Sequence, residues 1–130
     1  MARIDHANLT PVEYERHCGA FLEQDGWDVC YTPASGDGGA DFIAEKCGIR
    51  LIAQVKNYSK PVGNKAVQEA NSAVRLYNGT SACVIAPRGF TPQAQREAQT
   101  LGIELLHHTE LAVFAIDLIE DNVGKRRLRA

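Results

Sequence analysis

The sequence predicts an α/β domain built on a mixed central β-sheet flanked by helices, in the order αβββαβαβα. Three observations carry that expectation. Asp41 to Glu45 and Ile49 to Lys56 are strand-like and flank Lys46-Cys47-Gly48-Ile49, a tight hairpin turn. Ser81 to Ala86 is a short continuous apolar run, as in a strand buried on both faces. From there strands and helices alternate, which implies parallel strands joined by right-handed crossovers. An antiparallel start thus feeds a parallel continuation, with helices on both sides of the sheet.

The elements follow in order. Met1 to Leu9 is a polar, loosely held arm, with His6 at the surface. Thr10-Pro11-Val12-Glu13 is a capping box with proline at the first helical position, so a helix runs from Pro11 to about Asp25 and stops at Gly26. Phe21, Tyr14, Cys18, Leu22, Gly19 and Val12 share one half of its wheel. Trp27 to Thr32 alternates as a first strand. Asn64 can cap a second helix that runs to about Asn78 and ends at Gly79, burying Ala66, Val67, Ala70, Ala73, Val74 and Tyr77. Gln68, Asn71 and Arg75 line one polar border of that stripe. Thr91-Pro92 opens a third helix that Gly102 ends, Ile103 to Leu106 is a last strand, and Thr109 to about Asp121 is a final amphipathic helix.

Composition bounds the function classes. At 130 residues and 45% hydrophobic, the chain suits one domain, with its core from about Thr10 to Leu111 and a basic tail from Asn122 to Ala130. The tail carries Lys125, Arg126, Arg127 and Arg129, either a solvated end or a DNA-backbone-binding arm. A net charge of −2 gives no global basic signal, so nucleic-acid binding must rest on local patches. Cys18, Cys30, Cys47 and Cys83 form no CxxC pair, which fits free thiols in a reducing cytosol. With no signal peptide and no membrane span, the expected location is cytoplasmic.

The hairpin gathers the chemistry. If Cys47 and Gly48 form its centre, Lys46 faces Ile49 and Asp41 faces Gln54. Strand side chains alternate, so Gln54 and Lys56 share a face, and a carboxylate, an amide and an ammonium converge on one patch. A carboxylate with nearby oxygen donors can hold Mg²⁺, and a lysine beside it can orient a water and offset developing negative charge. An exposed polar sheet face with a chance salt bridge is the plainer reading. Glu15 falls inside the apolar half of the first helix, beside Leu22. It either meets a structural partner or completes the site around Asp41. The glycines of Pro33 to Gly39 permit close approach to a phosphate, or simply an ordinary turn.

Gly36-Asp37-Gly38-Gly39-Ala40-Asp41-Phe42-Ile43-Ala44-Glu45, Gln54-Val55-Lys56-Asn57-Tyr58, Val67-Gln68-Glu69-Ala70 and Phe90-Thr91-Pro92-Gln93-Ala94 together resemble the catalytic domain of Mrr-like restriction endonucleases, members of the PD-(D/E)xK nuclease superfamily. The likeness runs from about Thr10 to Leu111. It implies a restriction-endonuclease-like three-layer fold and Mg²⁺-dependent cleavage of DNA, with Mn²⁺ as a substitute. Asp41 matches the metal-binding aspartate, Lys56 the catalytic lysine, Glu15 the acidic residue of the first helix, and Gln68 a glutamine on the helix after the motif. Gln54 stands where the wider superfamily has Asp or Glu, a variant familiar among Mrr-like members.

The resulting expectation is a DNA endonuclease. Asp41, Glu15, Gln54 and the Val55 carbonyl hold metal, Lys56 positions water, and Gln68 assists. Lys60, Lys65, Arg75 and Arg88, with Lys56, form the DNA patch. Targeting comes from DNA structure, a partner, or a homodimer. Two alternatives stand beside it: a catalytically weak or inactive nuclease-like domain that binds DNA or a partner protein, because Gln54 is neutral, and an α/β domain unrelated to nucleic acid.

Overall fold

A computed structural model describes residues 6–32 and 39–129, with side chains described as far as Gly124. The Thr10 capping box forms as expected and opens α1 (Pro11–Gln24). Three strands follow: β1 (Asp28–Tyr31), β2 (Phe42–Lys46) and β3 (Ile49–Val55). Then come α2 (Asn64–Leu76), β4 (Ser81–Ile85), α3 (Pro92–Leu101), β5 (Glu104–Leu106) and α4 (Leu111–Arg129). Short 3₁₀ turns at His6–Asn8 and His108–Glu110 precede α1 and α4.

The sheet order is β1-β2-β3-β4-β5. The first three strands pair antiparallel and the last three parallel. The β2–β3 turn has Cys47 at φ 52° and Gly48 at φ 79°, the positive values that a two-residue hairpin with the native twist requires. Lys46 accordingly faces Ile49 and Phe42 faces Ala53.

Strand alternation divides the core in two. Phe42, Ala44, Leu51, Ala53, Cys83 and Ile85 pack with Tyr14, Cys18 and Leu22 of α1 and Leu111 and Ala115 of α4. Ile43, Ile52, Ala82 and Val84 face the other way, onto Ala66, Val67, Ala70 and Ala73 of α2 and Ala94 and Ala98 of α3. The small residues let helix and sheet approach closely. This is the three-layer mixed sheet read from the sequence.

Several local expectations change. Asn64 is the first residue of α2 and not its cap: Gly63 holds the cap position, without a side-chain bond. Val12 is 54% exposed because it lies in the first turn, before α1 meets the sheet. From His6 onward the N-terminal arm is held: the Asn57 amide donates to His6 O at 3.0 Å and Leu9 O at 3.1 Å, and the His6 ring lies against Tyr14 and His108. The basic segment is no separate tail, since α4 continues through it to Arg129. The glycines at Gly36 and Gly38 lie outside the described residues. None of the four cysteines forms a disulfide. Among the described residues no helix is long and apolar enough to cross a membrane.

Candidate active site

Asp41 immediately precedes β2 and extends the hairpin ladder by one step. Its N–H donates to Ala53 O at 2.7 Å, and its Oδ2 accepts the Val55 N–H at 2.6 Å. The register therefore carries Asp41 opposite Gln54 at the end of the sheet. Gln54 is the one buried polar residue among the described residues, 4% exposed. Burial of an amide needs a partner, and Gln54 Nε2 donates to Glu69 Oε2 of α2 at 2.9 Å. An ionised carboxylate only accepts, so the amide nitrogen must face Glu69 and the carbonyl oxygen must point elsewhere. Lys56 Nζ lies 3.7 Å from the same Glu69 oxygen.

The electrostatics link these groups. Burial raises the Asp41 carboxyl above its usual range; the Val55 N–H and the Lys56 ammonium pull it down, and Glu69 pushes it up. Glu15 is raised too, by burial first and then by the Asp41 charge, with Arg16 opposing. Glu15 therefore reaches the field of Asp41 from α1, while Glu69 reaches it from α2 on the opposite layer. Among the described residues no three His, Cys, Asp or Glu side chains are grouped closely enough to hold a metal ion. The donor chemistry still fits Mg²⁺, which takes hard oxygen ligands, commonly one or two carboxylates, and keeps several waters. A carboxylate raised by a second carboxylate, as Glu15 is by Asp41, is one that a cation between them would relieve.

The structure adds Glu69, which the sequence did not single out, to the group around Gln54 and Lys56, while the Gln68 amide is engaged by another helix. Gln68 is exposed and donates to Glu97 Oε1 of α3 at 3.0 Å. Helix spacing carried the signal: Glu69 lies three residues after Ala66 and four before Ala73, both buried, whereas the matching neighbours of Gln68, Lys65 and Ser72, are exposed. Gly39 fixes the same spot from the loop. At φ 74° it lies so close to α2 that a Cβ there would come within 2.2 Å of Glu69 O.

The proposed basic patch divides. Lys56, Lys60 and Arg88 lie in the loops that follow β3 and β4, and Lys65 lies in the first turn of α2, where the β3–α2 loop ends. These loops are zipped together, with Val62 N–H donating to Gly89 O at 3.0 Å and Thr91 N–H to Val62 O at 2.9 Å. Arg75 does not join them. It sits about 9 Å of helix rise beyond Glu69, at the end of α2 where Tyr77 O accepts from Arg50 Nε.

An antiparallel hairpin running into parallel strands, between two helical layers and with an acid–amide–lysine group at the sheet's end, defines a restriction-endonuclease-like domain. A restriction endonuclease family model, that of the Mrr catalytic domain, matches residues 6–115, and the chain belongs to that family. No curated protein matches the sequence. Among solved structures it is similar to AF1548, a protein of unknown function, at 20% identity and TM-score 0.59, over 71% of this chain and 55% of that one. It is similar to the MspJI restriction endonuclease in complex with a 27-mer oligonucleotide, at 22% identity and TM-score 0.52, over 76% of this chain and 25% of that one. It is also similar to the DNA modification-dependent restriction endonuclease AspBHI, at 14% identity and TM-score 0.54, over 86% of this chain and 39% of that one. The chain thus spans less than two thirds of each of these proteins, and the likenesses show the fold.

Proposed function

We propose that this chain is a Mg²⁺-dependent DNA endonuclease, hydrolysing phosphodiester bonds, with Mn²⁺ as a substitute cation. The observation that carries the reading is the meeting of Gln54 and Lys56 on Glu69 at the end of the sheet, with Asp41 capping the Val55 N–H beside them, in a chain of the restriction endonuclease family. Asp41 and Glu15 would hold the cation, with the Gln54 amide oxygen and the Val55 carbonyl. When bound, Mg²⁺ supplies Lewis acidity toward the phosphate and acidifies a water. Lys56 would orient that water and offset charge developing on the phosphate. Glu69 would hold Lys56 and the Gln54 amide in place. Lys60, Lys65 and Arg88 would grip the DNA backbone. MspJI, solved with an oligonucleotide, supports a DNA substrate.

A second reading, binding of DNA or a partner without cleavage, is favoured by one observation: Gln54 is neutral and its amide nitrogen is already engaged by Glu69. A panel of linear, methylated and branched DNA with Mg²⁺, Mn²⁺ or EDTA separates the two. Cutting that needs the cation and is lost in Lys56→Ala supports the nuclease. Binding without cutting under every condition supports the second reading, and absence of both would sink each.

A further inference from the structure

Beside Lys56 the surface opens into a cavity of about 180 Å³, whose walls include His6, Leu9, Asn57, Tyr58 and Arg88. Sites that bury a whole drug-sized ligand start near ~300 Å³, so this one suits a fragment of something larger. Its wall is firm, because the Asn57 amide ties both His6 O and Leu9 O. Its chemistry is mixed. Tyr58 is 44% exposed, and Lys56 Nζ lies over its ring, 5.8 Å from the centroid. Arg88 is exposed and makes no ion pair among the described residues. An open aromatic face suits a base, which stacks regardless of its sequence identity. A free guanidinium suits a phosphate.

We propose that this cavity takes one unstacked nucleotide of the bound DNA strand, its base on Tyr58 and a neighbouring phosphate on Arg88. The inference rests on the nuclease reading for the position of the strand. With a phosphate at Lys56, successive nucleotides rise by about 3.4 Å, which brings the next one or two along the strand over Tyr58. The cavity thereby explains how a domain of this size holds the strand against Lys56 without reading sequence.

The test is a coupling cycle on DNA binding, measured in EDTA with the full chain. A single abasic site is moved stepwise along a branched DNA, whose junction fixes the register of the bound chain, and affinity is compared for wild type, Tyr58→Ala and Tyr58→Phe. At one position, the abasic site should weaken wild type and Tyr58→Phe by roughly tenfold to a hundredfold and leave Tyr58→Ala unchanged. Arg88→Gln should weaken binding of intact and abasic DNA alike and flatten its salt dependence. Independent losses at every position, in a protein that still cuts, overturn the cavity and leave the nuclease standing. Coupling in a protein that binds but never cuts supports the cavity and overturns the nuclease. Failure to bind any DNA overturns both.

Discussion

The Glu69 carboxylate stands 3.7 Å from the Lys56 ammonium, and the same oxygen accepts the Gln54 amide proton. The pair is part-exposed, so its contribution to stability is small, about 0–1 kcal/mol. Its value is positional: it aims Lys56 along the sheet's end and fixes which end of the Gln54 amide is left to accept. Glu69→Gln should therefore change the denaturation midpoint little and slow cleavage by about tenfold or more. Glu69 also raises Asp41, so its removal should move the acid limb of the pH–rate profile to lower pH. An unchanged rate and limb would show that Lys56 is placed without it.

Asp41 separates charge from structure. Burial raises its carboxyl above the ordinary carboxylate range, yet its oxygen caps the Val55 N–H. Asp41→Asn keeps an acceptor and removes the charge. Cleavage should fall by about a hundredfold or more, while the metal-free protein melts at a higher temperature at neutral pH. Asp41→Ala should also abolish cutting but cost about 1–3 kcal/mol, because it strands that N–H. Calorimetry alongside the cleavage assay checks both; substantial cutting by either folded variant would remove Asp41 from the chemistry.

Gln54→Glu places a second carboxylate against Glu69 in a buried setting. Without metal the two charges repel, so the new group's pKa rises above its unfolded value. Such a group stabilises at low pH and loses that contribution as pH rises through the unfolded and folded values. The variant should be less stable than wild type at pH 7, recover as pH falls toward 4, and gain more from added Mg²⁺. Equal stability of variant and wild type at pH 7 with and without Mg²⁺ would mean that Gln54 lies outside the proposed metal site and makes no working contact with Glu69.

The fold was legible because its signals are local. The Thr10 box, the Cys47–Gly48 turn and Gly102, at φ 73°, each fix a boundary within a few residues. The hairpin then set the Asp41–Gln54 register by arithmetic. What the sequence hid was relational. Which end of the Gln54 amide is left free follows only once the α2 carboxylate that holds its nitrogen is placed across from it. The choice between Gln68 and Glu69 needed the helix's rotation, which the alanine spacing encoded. Arg75 looked like one more cation for the patch, but α2 runs antiparallel to β3 and carries it away from the site. His6 looked like surface because its contacts are with Tyr14 and His108, distant in sequence.

Gly39 is the backbone element that the site depends on. Alanine there must adopt a left-handed conformation, at roughly 1–2 kcal/mol, and push its Cβ against Glu69 O. Overpacking adds about 1–3 kcal/mol, so urea denaturation of Gly39→Ala should show a loss of about 2–5 kcal/mol, together with reduced cleavage. Gly63→Ala is the control, since φ is −85° and nothing lies within 4 Å of its Cβ position. Equal effects at the two positions would mean that the loop does not bear on α2.

The last prediction concerns pH. All of the chain's histidines, His6, His17, His107 and His108, meet beside Tyr14. The part-buried Tyr14 hydroxyl is hydrogen-bonded to His108 Nδ1 at 2.9 Å. Burial, with the neighbouring imidazoles adding to it, lowers the His108 pKa to about 4. The folded state therefore takes up the His108 proton later than the unfolded chain does. Between about pH 6.5 and 4 the unfolded chain binds more protons at this group, so its contribution to stability is complete above pH 6.5 and is lost as pH falls. Asp41 and Glu15, both raised, act in the opposite sense, so the variant comparison isolates the histidine. His108→Gln keeps a hydrogen-bonding group for Tyr14 and cannot titrate. Thermal midpoints at pH 7.5, 6, 5 and 4.5 should fall more steeply for wild type than for His108→Gln. Superimposable slopes would mean that His108 is solvated enough to keep an ordinary pKa, and that the cluster does not tie the N-terminal turn to the domain in a pH-dependent way.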